Sequence, residues 1–149
     1  MPVYRVAVIS TPQAAAGAAF YDFQTAGRRA FWREKRTSTL VGINSSIGTV
    51  LANNTPVPTT SATPQATESG DAAATCKLDT AWSTAPTIAG SPNWLETVDI
   101  GPSQGQILIE TYPLDGQGKF TVAQNTFVVA WNFGTLAGDK LAVTFIYEE

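Results

Sequence analysis

The sequence predicts a mainly all-β fold, a jelly-roll-like β-sandwich or small barrel, with a short N-terminal helix and a long extended arm. Three observations predict it. Phe127, Val129, Trp131 and Phe133 alternate with Val128, Ala130 and Asn132, and Leu141, Val143, Phe145 and Tyr147 alternate with Ala142, Thr144 and Ile146. A period of two in β-branched and aromatic residues marks strands that bury one face. Six strand candidates then follow at short intervals between Thr75 and Glu148, separated by turn signals such as Gly90-Ser-Pro, Gly101-Pro and Asp115-Gly. Such punctuation argues for a sandwich, jelly roll or small barrel. Residues 52–75, finally, hold three prolines and almost no large apolar side chain, the composition of an extended loop or arm.

In chain order, Val3–Ser10 alternates and reads as a strand. Thr11-Pro12 pairs a capping residue with proline at a first helical position. Ala14–Ala16, Ala18–Phe20 and Phe23 carry the predicted helix to about Ala26, where Gly27 is a natural stop. Arg28–Val41 reads two ways. As a strand it places Arg28, Ala30, Trp32, Glu34 and Arg36 on one face and Arg29, Phe31, Arg33 and Lys35 on the other. As a helix it gathers Arg28, Arg29, Trp32, Arg33 and Arg36 into one basic stripe. The strand is favoured, because Thr37–Val41 continues it with β-forming residues. Charges on both faces suit an edge, or a strand that crosses onto a partner.

The arm comes next. A segment of that length is unusual in a compact domain unless it has a task or is disordered, and a neighbouring subunit is the expected holder. Strands are predicted at Thr75–Trp82, Trp94–Ile100, Gln106–Tyr112, Lys119–Ala123, Thr126–Phe133 and Lys140–Glu148. The Gly134–Lys140 loop either closes a hairpin or leads to a neighbouring sheet. No crossover helices fit between these strands, which excludes a parallel α/β half. The 149 residues fit one domain. It divides into 1–51 (strand, helix, basic strand), a 52–75 arm and a 76–149 sandwich.

Charged residues are 14% of the chain, well below the usual figure of about 25%. Weakly charged β-rich surfaces left bare tend to associate, so covered surface is expected. The net charge of −3 is unevenly spread. Residues 1–36 hold six bases and two acids, +4, and the rest holds three lysines and ten acids, −7. A basic front and an acidic body suit head-to-tail contact between copies, or docking onto an acidic partner.

The chemistry is bounded by absences. There is no histidine, which removes Ser-His-Asp and Cys-His nucleophile systems and the commonest transition-metal ligand. A single cysteine, Cys76, excludes an internal disulfide and reads as a small buried residue. Two carboxylates suffice for a glycosidase, but none of the twelve acids sits in a recognisable motif. Asp115-Gly-Gln-Gly-Lys-Phe120 lacks P-loop spacing and reads as a turn. No catalytic residue, cofactor or metal is expected, and the chain is not read as an enzyme. No run of eighteen apolar residues exists, so no membrane span is expected. Pro12 and Gln13 interrupt the one stretch resembling a signal peptide. Phe31 and Trp32 among five bases could stack on nucleic acid, but a pI near 4.8 argues against such a partner. The four tryptophans are read as core or interface rather than sugar platforms.

The chain resembles small tailed-bacteriophage virion proteins of the capsid decoration, or cement, type. The resemblance spans most of the chain. It rests on the short helical N-terminus, Arg-Arg-Ala-Phe-Trp-Arg-Glu at 28–34 and Ala-Trp-Ser-Thr-Ala-Pro at 81–86. It rests also on the ending Phe-Val-Val-Ala-Trp-Asn-Phe-Gly with Asp-Lys-Leu-Ala-Val-Thr-Phe-Ile-Tyr-Glu-Glu. It implies a homotrimer on the capsid exterior, bound to the major capsid protein where capsomers meet and bracing the shell. The candidate contacts with partners are Arg28, Arg29, Trp32, Arg33, Lys35, Arg36, Pro56, Val57, Pro58 and Pro64. The competing expectation is a tail-fibre, spike or lectin-like module that grips a glycan through exposed tryptophans.

Overall fold

The alternation of residues 141–147 sets the centre of the fold. The computed structural model describes residues 1–11, 16–103, 106–116 and 119–149. In it Leu141, Val143, Phe145 and Tyr147 are buried, while Ala142, Thr144, Ile146 and Glu148 lie half-buried on the opposite face. Among the described residues there are twelve strands: β1 (Val3–Ile9), β2 (Ala19–Gln24), β3 (Ala30–Thr39), β4 (Ser45–Leu51), β5 (Val57–Ala62), β6 (Gln65–Ala66), β7 (Lys77–Thr84), β8 (Glu96–Ile100), β9 (Ile107–Thr111), β10 (Thr121–Val122), β11 (Phe127–Asn132) and β12 (Leu141–Glu148).

They form two antiparallel sheets. The first runs β10-β3-β12-β1-β6, with β9 also pairing β3, and the second runs β5-β7-β2-β11-β4-β8. The chain alternates between them: β1 and β3 lie in the first, β2 and β4 in the second, then β8 and β11 in the second, β9 and β12 in the first. The Gly134–Lys140 loop therefore leads between sheets and closes no hairpin. The Asn132 side chain holds it, donating to the Leu136 carbonyl at 2.9 Å and accepting from the Gly134 N–H at 3.1 Å.

Inward residues of both sheets meet in one core. Trp32 is its largest member, stacked on Phe120 at 4.2 Å and edge-to-face with Phe23 at 5.4 Å. Such aromatic pairs add about 0.5–1.5 kcal/mol each beyond the area that they bury.

Three expectations are corrected here. The short N-terminal helix is not seen. Residues 12–15 lie outside the described residues, and 19–24 form β2, with every residue but Gln24 buried. Burial on both faces overrides the helix preference of an alanine-rich run. The 52–75 arm is not a free extension: part of it pairs within its own chain. Its residues 57–62 pair with β7 and its residues 65–66 with β1. Pro58, which has no N–H to give, is tolerated because β5 is an edge strand. In β3 the register shifts beside Arg33, so Tyr147 faces Trp32 while Ile146 faces Glu34. The extra residue reverses the parity of everything after it. Trp32 and Lys35, expected on opposite faces, are both buried.

The second sheet is covered on its outer face. Residues 85–95 travel from β7 to β8, past β2, β11 and β4, and lay Ile88 and Trp94 against the outer cluster of Ala19, Val50 and Val129, on which Trp82 and Trp131 also pack. Asn54 pins the start of this strap, donating to the Ala85 carbonyl and accepting from the Thr87 N–H, both at 2.9 Å.

Candidate functional site

The outer face of the first sheet carries no such strap among the described residues. Register places its side chains in rows across four strands. Ile9, Ala142, Ser38 and Ile107 form one row; Ala7, Thr144, Arg36 and Ile109 the next; Arg5, Ile146, Glu34 and Thr111 the third. Ile9 and Ile107 at opposite rims, with Ala142, Thr144, Ser38 and Arg36 between them, line a shallow groove of about 610 Å³. Ile9 is 63% exposed, Ile107 64% and Ile109 55%. Side chains this apolar, clustered and open to water fit a protein contact. They offer no nucleophile, acid or base. The third row sets Arg5, Glu34 and Thr111 around Ile146, and its Glu34 pairs with Arg36 of the second row.

The predicted contact residues scatter. Trp32, Lys35, Pro56 and Pro64 are buried within the chain; Arg33 and Pro58 are half-buried; Arg28, Arg29, Arg36 and Val57 are exposed. The basic segment is also largely neutralised within the chain. Arg33 lies 3.3 Å from Glu148, Arg36 pairs with Glu34, and Lys35 points inward to two glutamates. The isoleucines of the bare face were not singled out by sequence reasoning. Ile107 and Ile109 alternate with Leu108 and Glu110, so the signal was present, but alternation does not say which face water meets.

Two buried polar clusters lie elsewhere. At the side of the sandwich where β8 and β9 form the edges, the Lys35 ammonium contacts the Glu96 carboxylate and stands 2.9 Å from Glu110 Oε2. The Tyr112 hydroxyl is 3.1 Å from both Glu96 oxygens, and the Thr49 hydroxyl donates to Glu96 Oε1 at 3.1 Å. Burial, then the charges of Glu96 and Glu110, push the Tyr112 hydroxyl well above its ordinary value. On the second sheet, Asp22 and Asp79 oppose each other across β2 and β7 with no exposed surface. Burial and the hydrogen bond to Asp79 raise Asp22 to about 8.

Cys76 is fully buried. Burial, then its interaction with Glu149, pushes the thiol far up, away from the nucleophilic thiolate. No group of three or more potential metal ligands is found among the described residues. No helix among them is long and apolar enough to cross a membrane.

Comparison with protein-family models, with curated proteins and with solved structures finds no match for this chain.

Proposed function

We propose that the protein is a structural component of a phage virion, seated on the capsid exterior as an oligomer, most simply a trimer, where it binds the major capsid protein and bridges capsomers. The observation that carries this reading is the strand order. Taken without the inserted β5, β6 and β7, and without the two-residue β10 that also pairs β3, the sheets run β1-β12-β3-β9 and β2-β11-β4-β8. That is the interleaved order of a double Greek key, the jelly roll, an architecture used by viral capsid proteins and by lectins. The bare isoleucine face supports the virion side of that choice, because it suits contact with protein. The lectin side has less support. No tryptophan is among the exposed large apolar residues. Trp32 is buried, and Trp82, Trp94 and Trp131 pack under or within the strap.

Each apolar square ångström removed from water contributes about 25 cal/mol before ordering costs. Many modest contacts repeated over a shell therefore suffice. The test is binding to purified empty shells, with copy number measured by quantitative mass spectrometry of virions. Abundance comparable to the major capsid protein, and shells that rupture more easily without the protein, are expected. A handful of copies per particle, or binding to glycan but not to shells, overturns the reading.

A further inference from the structure

The Lys35 cluster holds the parts of a covalent cross-link, and nothing in the proposed function calls for one. Lys35 stands on β3 of the first sheet, Glu96 opens β8 of the second, and Glu110 lies on β9 of the first. Lys35 is 3% exposed, and the Trp32 ring centroid lies 5.7 Å from its ammonium. A buried ion pair of this kind gives little net stability, since desolvation offsets the attraction. The arrangement has more in it than a pair needs. A second carboxylate stands 2.9 Å from the same nitrogen, and two hydroxyls, from Tyr112 and Thr49, hold the oxygens of Glu96.

We propose that Lys35 and Glu96 condense into an intramolecular amide that joins the two sheets, with Glu110 carrying the protons. The Lys35 ammonium passes a proton to Glu110, which hands it to a Glu96 oxygen, and the freed amine attacks Cδ of the neutral Glu96 carboxyl. Tyr112 and Thr49 hydroxyls stabilise the charge that gathers on the Glu96 oxygens, the role of an oxyanion hole. Glu110 relays protons from the nitrogen to the departing oxygen, which leaves as water, and ends as the carboxylate it began as. One C–O bond breaks and one C–N bond forms. The ammonium and carboxylate become a neutral amide plus one water, with no oxidant or reductant.

The fold supplies what this reaction lacks in solution. Reactants held in contact act at effective molarities on the order of 10⁵ M or more. A covalent tie between Lys35 and Glu96 restricts the unfolded chain as a disulfide does, in a protein whose one cysteine allows no internal disulfide.

Intact-mass spectrometry of the purified full chain decides the matter. The expected mass is one water below the sequence mass, after any loss of Met1, with a branched tryptic peptide joining the segments that contain Lys35 and Glu96. Glu110→Gln should fold, by circular dichroism, yet show the full mass and no branched peptide. Wild-type protein at full mass means an ion cluster only, and overturns the proposal. This readout needs no variant to fold. A water deficit that survives in Glu110→Gln overturns the role of Glu110.

Discussion

Asp22 and Asp79 face one another across β2 and β7, each fully buried and each holding one outside donor. The Trp82 indole N–H donates to Asp22 Oδ2 at 2.7 Å, and the Ser61 hydroxyl donates to Asp79. The remaining oxygens, Asp22 Oδ1 and Asp79 Oδ2, have no other partner. A proton shared between the carboxyls satisfies both. Two adjacent carboxylates cannot both ionise cheaply, and burial compounds the effect.

Stability should therefore depend on pH in the direction opposite to that of a salt-bridged aspartate. Asp22 is raised from 3.8 to about 8, so the folded chain holds its proton more tightly than the unfolded chain does. The contribution is fully present below the unfolded value and is lost as pH rises through the folded one. Melting temperature should fall progressively between about pH 4 and pH 8. Asp22→Asn, which keeps an acceptor for Trp82 and donates to Asp79, should flatten that slope. A slope equal in wild type and variant would rule out the shared proton.

Gly48 shows why the strap lies where it does. A Cβ at this position would run into the six-membered ring of Trp94, so only glycine lets the indole rest on β4. Gly48→Ala should lift Trp94 at a cost of about 1–3 kcal/mol, the usual cost of overpacking. Urea denaturation should show a lower midpoint, and tryptophan emission should shift to the red as the ring meets water. An unchanged spectrum would mean that the strap does not need this contact.

How much of this was legible follows from which strands bury one face. β12 alternates cleanly because only one of its sides meets the core, and its bounds, like those of β11, are close to those the alternation predicts. β2 was misread because Ala19, Phe20 and Phe23 sit at helical spacing in a strand buried on both faces. Such strands lose the period of two. β4 was missed altogether, since Ser45-Ser-Ile-Gly-Thr49 is small and glycine-broken, and its core contacts come from elsewhere in the sequence. The arm read as loop because edge strands need little apolar content. Both buried clusters were illegible for a different reason. Asp22 meets Asp79 only through strand order, and Lys35 meets Glu96 only through the packing of one sheet on the other; alternation gives faces without giving neighbours. The bulge at Arg33 added a further reversal that no composition rule anticipates.

Glu149 ties the end of β12 to the start of β7. Its carboxylate accepts from the Cys76 N–H at 3.1 Å and from the N–H and hydroxyl of Thr75. Glu149→Ala would strand these backbone donors, one of them buried, at about 1–3 kcal/mol. The denaturation midpoint should fall with the slope m unchanged, because the surface exposed on unfolding stays the same. A change confined to a few tenths of a kcal/mol would mean that water replaces the carboxylate at no cost.

The bare isoleucine face makes a prediction that separates docking from stability. Ile107 and Ile109 project from β9 into solvent and contribute little to the core, so Ile107→Lys with Ile109→Lys should move stability by about 0.5 kcal/mol or less, as surface changes do. The same pair of charges would have to be desolvated in any protein contact built on this face, a far larger penalty. Self-association, measured by sedimentation, and binding to empty shells should both collapse while the melting temperature holds. Loss of binding alongside a lower melting temperature would trace to misfolding, and a glycan-array comparison is not needed to decide it. Undiminished binding by a well-folded double variant would move the contact surface elsewhere, to the exposed Arg28, Arg29 and Val57.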